Sequence, residues 1–259
     1  MDKKSEISNN KKFKIDKMFD VSDDFTTKKD NNLFDLPMRL LMIAKTGDSK
    51  STTLGNYLLK DEAYKKDFDP ENIFIFSGSV AGDRKLKTII EELDVPHQNI
   101  FGNYDNDMVS VIYDMLVEQY NEKTEDKIKD PKKLNSLLIF DDLAYAGVFK
   151  DKGKNDAVRK IFFNGRKFLV SCIIISQKYS SVSTSIRENA SGLIIGKASG
   201  KQLELISDDH NYLTAGKKAF MTLFRKTTDK PFTKFIINFS KPELYYNENF
   251  EPILNKNDL

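Results

Sequence analysis

Two adjacent residues, Lys50 and Ser51, end a polar loop that runs through Ala44, Lys45, Thr46, Gly47, Asp48 and Ser49. A short apolar run, Met38 to Ile43, delivers the loop, and a helix-like segment, Thr52 to Leu59, leaves it. Strand, loop, Lys-Ser and helix is the order that phosphate binding requires. Backbone N–H groups of such a loop wrap the anion, the lysine reaches the β and γ phosphates, and the hydroxyl ligates magnesium. The helix then points its positive end at the same anion. The expected nucleotide-binding residues are therefore Lys45, Thr46, Gly47, Asp48, Ser49, Lys50, Ser51 and Thr52, with Ser51 also a metal ligand.

The glycines depart from the usual pattern. G-x-x-x-x-G-K-[ST] places glycine where this chain has Ala44 and Ser49, and only Gly47 remains in the loop. Glycine before the lysine permits positive φ and close backbone approach. Serine there costs of order 1 kcal/mol or more in strain. Taken alone, the loop is equally an ordinary polar strand-to-helix turn.

A second segment completes the chemistry. Leu137-Leu138-Ile139-Phe140 runs directly into Asp141-Asp142, about 90 residues beyond the lysine. Two adjacent carboxylates at the end of a buried strand repel one another unless a cation is near. Asp141 is the expected magnesium ligand, and Asp142 the acid that orients or deprotonates an attacking water. The alternative is a strand that ends in an acidic surface turn. A third segment, Phe168 to Ile175, ends in Ser176-Gln177. A polar residue there can contact a γ-phosphate or its attacking water, if this strand lies between the other two. Otherwise Gln177 is a surface amide.

These residues need an α/β scaffold to hold them. Further strands are expected at Ile73 to Phe76 and Ser191 to Ala198, and late strands at Ala219 to Phe224 and Phe235 to Phe239. Helices are expected at Arg84 to Leu93 (capped by Asp83), Asp107 to Tyr120 and Asn155 to Lys167, with a surface loop from Asn121 to Lys133. Strands alternating with helices imply a mostly parallel sheet, with the late strands added antiparallel. The division expected is a flexible polar arm at 1–34, one domain at 35–240 and a tail at 241–259. Phe13, Ile15, Met18 and Phe19 of the arm could dock on a neighbour.

Composition removes several classes. No apolar run approaches the roughly 20 residues of a membrane-spanning helix, and the start, MDKKSEISNNKK, carries no secretory signal. The lone Cys172 cannot form an internal disulfide, which fits a reducing compartment. His97 and His210 are far apart and build no zinc site. The net charge of +2 names no partner.

The succession Lys45-Thr46-Gly47, Lys50-Ser51, Leu137 to Asp142, Gly165-Arg166-Lys167, Ile174-Ile175-Ser176-Gln177 and Ile186-Arg187-Glu188-Asn189 resembles the FtsK–HerA class of P-loop ATPases. Within that class it resembles the genome-packaging ATPases of large DNA viruses and their satellite viruses. The resemblance covers Leu36 to Ala198. It implies a RecA-like core with an extra strand between the loop strand and the acidic strand, ATP and Mg2+ as ligands, and a homo-oligomeric ring of five or six subunits. It also implies translocation of double-stranded DNA into a capsid, a capsid vertex or portal-like partner, no membrane, and work at viral assembly sites in the host cytoplasm or on the virion. By the same resemblance Gln177 senses the γ-phosphate, and Arg166 or Arg187 is an arginine finger that reaches a neighbouring subunit.

For DNA, Lys197 to Lys234 carries eight basic residues against four acids, and Arg84, Lys85 and Lys87 form a second cluster. Either could touch phosphates, or be a solvated face. Two other readings stay open: a non-hydrolysing ring protein descended from such a motor, suggested by the missing glycines, and a pump for conjugation or chromosome segregation.

Overall fold

The computed structural model describes residues 26–143, 147–150 and 156–254. The arm residues Phe13 to Phe19 lie outside them. The strands are β1 (Arg39–Ile43), β2 (Ile73–Ser77), β3 (Ile100–Phe101), β4 (Ser136–Asp141), β5 (Val170–Ser176), β6 (Gly192–Ile195), β7 (Phe235–Asn238) and β8 (Tyr245–Tyr246). The helices are α1 (Lys50–Leu59), α2 (Arg84–Glu92), α3 (Asn106–Glu125), α4 (Pro131–Leu134), α5 (Asp156–Asn164), α6 (Thr184–Glu188), α7 (Gly200–His210) and α8 (Gly216–Thr227).

All eight strands form one sheet, ordered β3-β2-β4-β5-β1-β6-β7-β8. β3 through β6 in that order are parallel, and β7 and β8 are added antiparallel. β5 therefore lies between the loop strand β1 and the acidic strand β4, as the resemblance implies. A parallel sheet covered on both faces needs strands that are apolar on both sides, which is why β1, β4 and β5 read as unbroken apolar runs. Leu41, Leu138, Phe140, Cys172 and Ile174 face one core, under α3, α5, α7 and α8. Leu40, Met42, Leu137, Ile139, Ile173 and Ile175 face the other, under α1 and α2.

Register decides where the chemistry falls. Ser77 pairs with Asp141, Asp141 with Ile175, and Ile43 with both Ser176 and Ile195. The C-terminal ends of β1, β2, β4, β5 and β6 thus share one edge, where ligands of open α/β sheets bind.

Two expectations are corrected. Ala219 to Phe224 is part of the helix α8, not a strand. Phe220 and Phe224, four residues apart, are buried, while Lys217, Lys218, Arg225 and Lys226 point out, so a six-residue apolar run concealed an amphipathic helix. Asn121 to Lys133 is not all loop: α3 continues to Glu125, and Asp130 caps the short α4. Charged residues of good helix propensity extend the solvent face of α3 without ending it.

The packed core also reaches beyond residues 35–240. Leu33 and Phe34 are buried ahead of it, and Tyr245, Tyr246 and Phe250 after it. Phe34 packs edge-on against Phe250 and so close to Gly192 that a Cβ there would fall 2.1 Å from the ring. Phe34→Ala should cost about 3–5 kcal/mol, read as a shift of the urea midpoint, because it empties a site with no space to collapse into.

Candidate active site

The loop leaves β1 at Ala44, whose N–H donates to Ser176 O at 3.0 Å. Ala44 is buried, and it is not among the described residues of positive φ. Alanine therefore sits in the first glycine position without strain. The turn itself falls on Gly47, with φ 83°, and on Ser49, with φ 56° and ψ 34°. Ser49 is thus the only departure from the glycine pattern that takes a left-handed backbone, which is uphill for any residue with a Cβ.

Ser49 is also the N-cap of α1, and its side chain makes no cap hydrogen bond. The first-turn N–H groups of α1 have no acceptor within the helix and carry its positive end. They open on a cleft of about 580 Å³ lined by Lys45, Thr46, Gly47, Ser49, Lys50 and Ser51 on one side and by Asp141, Asp142, Gln177, Ser79 and Asp83 on the other. Of the expected loop residues, Asp48 and Thr52 do not line it.

The acidic wall is tied together. Ser77 and Ser79 hydroxyls donate to Asp141 Oδ2 at 3.1 and 3.3 Å. Burial pushes the Asp141 carboxyl above its ordinary value, the Ser77 hydrogen bond and the Lys50 charge pull it down, and Asp142 pushes it up again. Asp142, with φ 53°, accepts from Gln177 Nε2 at 3.0 Å. The register brings this pair together, since β4 and β5 are neighbours.

Asp83 is a member of the wall that the sequence showed only as a helix cap. Its Oδ1 accepts from the N–H groups of Lys85 and Leu86, and its Oδ2 accepts from Ser51 Oγ at 2.6 Å. Burial works against its charge, but the Ser51 and backbone hydrogen bonds outweigh that and hold its carboxyl below the usual range. Arg84 lines the cleft, and Lys85 Nζ donates to Thr52 Oγ1 at 2.6 Å. Two members of the basic cluster at Arg84 to Lys87 therefore stand at this cleft.

The residues present suit magnesium held through a nucleotide. Among the described residues no group of three His, Cys, Asp or Glu could hold a metal unaided. A buried carboxylate, Asp141, and a loop hydroxyl, Ser51, face one cleft, and magnesium is commonly held by one or two such oxygens plus substrate phosphates.

A family model described as Poxvirus A32 protein matches residues 25–243. The chain belongs to this family. No curated protein matches it. Among solved structures it is similar to the genome packaging NTPase B204 from Sulfolobus turreted icosahedral virus 2 in complex with AMP, with TM-score 0.52, 15% identity, and 78% of this chain and 92% of that one covered. The same protein in complex with ATP-gammaS gives TM-score 0.51, 18% identity and 83% and 97% coverage. The pCW3 conjugation coupling protein TcpA with ATPgS gives TM-score 0.54, 14% identity and 84% and 60% coverage. Membership and fold agree with the FtsK–HerA resemblance and with a RecA-like P-loop architecture.

Arg166 and Arg187, the two candidate finger arginines of this A32-family chain, do not line the cleft. Arg166 is exposed in the 3₁₀ turn Gly165–Phe168 before β5, so the full length of β5 separates it from Gln177. Arg187 is buried. Its Nε lies 3.3 Å from Asp209 Oδ2, within ion-pair range but poorly angled for a hydrogen bond, and the guanidinium stacks 4.6 Å above the Tyr179 ring. The same Tyr179 hydroxyl donates to Asp209 and meets His210 Nε2 at 2.7 Å. Among the eight basic residues of the late cluster, Lys234 is buried, Lys217 pairs with Asp208, and Lys201, Lys218, Arg225, Lys226 and Lys230 are exposed.

Two outcomes follow from this geometry. Asp141 titrates higher folded than unfolded, so its charge opposes folding once the pH exceeds the ordinary aspartate value. Asp141→Asn should therefore raise the stability of the nucleotide-free protein at neutral pH by about 0.5–2 kcal/mol in urea unfolding. Arg187→Ala should lower it by about 3 kcal/mol, because it strips the cationic partner from Asp209 and the cation from above Tyr179.

Proposed function

We propose that this chain is the ATP-driven motor subunit that moves double-stranded DNA into a viral capsid. The observation that carries the reading is one cleft in which Lys50 and Ser51, at the start of a helix, face Asp141, Asp142 and Gln177 across three neighbouring strands. Family membership and the fold shared with a genome packaging NTPase support it.

The residues divide the work of phosphoryl transfer. Lys50 and the first-turn amides of α1 take the charge of the β and γ phosphates. Ser51 and Asp141 would hold magnesium, which would neutralise phosphate charge. Asp142 orients the attacking water and accepts its proton, and Gln177, hydrogen-bonded to Asp142, registers whether a γ-phosphate is present. Past Ser49 and Phe232, an adjoining cleft of about 670 Å³ would take ribose and base. Phe232 is 65% exposed there, and the buried Tyr57 hydroxyl on its wall has no partner among the described residues.

Ring assembly places a neighbour beside each cleft. The exposed Arg166 is the better placed arginine to reach that neighbour, since Arg187 is committed to Asp209 and Tyr179. Exposed lysines of α8 and its flanks supply salt-sensitive, sequence-tolerant contacts to DNA phosphates. No helix among the described residues is long and apolar enough to cross a membrane. A second reading, nucleotide binding without turnover, rests on the left-handed Ser49.

ATP hydrolysis by the full chain, with and without duplex DNA, separates the two. The motor reading expects DNA-stimulated turnover that Lys50→Ala abolishes and that Asp142→Asn lowers by about 10²–10⁴-fold with binding retained. Tight ATP binding with no turnover in the assembled, DNA-bound protein would sink it and leave the second reading.

A further inference from the structure

Asp48 lies between two cleft-lining loop residues yet turns its own carboxylate away from the cleft, into the sheet. Oδ2 accepts from the Lys197 N–H at 3.0 Å, just past β6. This is possible only because residue 196 is glycine: a Cβ there would lie 1.8 Å from Asp48 Oδ2. Oδ1 lies 3.5 Å from Lys234 Nζ. The Lys234 side chain is 1% exposed and anchored in turn, with Nζ donating to the carbonyls of Phe232 at 3.0 Å and Thr233 at 3.4 Å. The same ammonium stands 3.5 Å from Ser49 Oγ.

A buried lysine is rarely retained without a partner that fixes it. Here it grips the strained position and the residue before it. Asp48 precedes Ser49 and is tied to β6 and to Lys234, and Ser49 itself touches Lys234. The helix that Ser49 opens has no side-chain cap to hold it. A serine freed from this grip relaxes out of the left-handed region, and the loop amides turn away from the phosphates.

We propose that Lys234 and Asp48 are positioning residues, a latch from the β6–β7 side of the sheet that holds the phosphate loop in its wrapped form where a glycine would otherwise do so. The proposal rests on the nucleotide reading for its function, but the latch itself is a property of the empty protein. It differs from simple attraction between a cation and a polyphosphate. Attraction is indifferent to residue 49, whereas a latch loses its purpose once residue 49 adopts the turn without strain.

A double-mutant cycle reads this difference in the full-length chain. Binding of a fluorescent ATP analogue with magnesium is titrated for the parent, Lys234→Met, Ser49→Gly and the double variant. Lys234→Met should weaken binding about tenfold in the serine background, the scale of one left-handed serine, and about twofold or less in the glycine background. Equal weakening in both backgrounds, or none in the first, overturns the latch. Hydrogen exchange of the amides from Lys45 to Thr52 in the nucleotide-free proteins gives a second reading. Lys234→Met should speed it with Ser49 and not with Ser49→Gly, and unchanged exchange overturns the proposal. A parent chain that binds no nucleotide would refute the nucleotide reading alone, and the exchange comparison would still judge the latch. If Lys234→Met does not fold, Asp48→Asn, which keeps the acceptor for Lys197 and removes the charge, replaces it in both comparisons.

Discussion

Three carboxylates, Asp83, Asp141 and Asp142, stand round one cleft, and a nucleotide would add further negative charge to it. Holding that charge together is the constraint the rest of the structure serves. Each acid is restrained by a different device: Asp83 by the amides of α2 and the Ser51 hydroxyl, Asp141 by two serines from the end of β2, and Asp142 by the amide of Gln177. The last two devices require strand ends level with one another. A parallel sheet supplies that level edge, and burial on both faces fixes its register, since a slip of one residue would exchange the two cores.

How much of this was legible in the chain depends on what kind of signal each part leaves. Apolar runs that end abruptly in chemistry, such as Phe140-Asp141 and Ile175-Ser176, announce themselves because parallel strands have no polar face. The place of β5 between β1 and β4 was implied by the family resemblance, not by the residues themselves. Contacts made across the fold left no local trace. Nothing near Ser77 or Ser79 says that they will hold Asp141, and Asp83 looked like any helix cap. Lys234 looked like one more lysine in a basic stretch until burial set it beside Asp48. The amphipathic α8 was misread because its apolar residues are adjacent enough to mimic a strand, and only packing of Phe220 and Phe224 reveals the period.

The structure also separates two departures from the glycine pattern that the sequence presents as equals. Ala44 occupies ordinary backbone and packs under Ser176 and Gly196, where its methyl fills space. Ser49 alone carries strain. A motif scan weighs the two positions alike, whereas the backbone angles do not. Arg187 shows the reverse case: a residue in a suggestive succession whose guanidinium is used up in holding α6 to α7 through Asp209.

Gly196 has a consequence for how such a chain can change over generations. No side chain can enter at 196 while Asp48 keeps its present rotamer, because the two would occupy the same volume. The aspartate must go first, and its departure strands the buried ammonium of Lys234. A change at 196 therefore waits on a change at 48, and the permitted order of those two replacements runs one way.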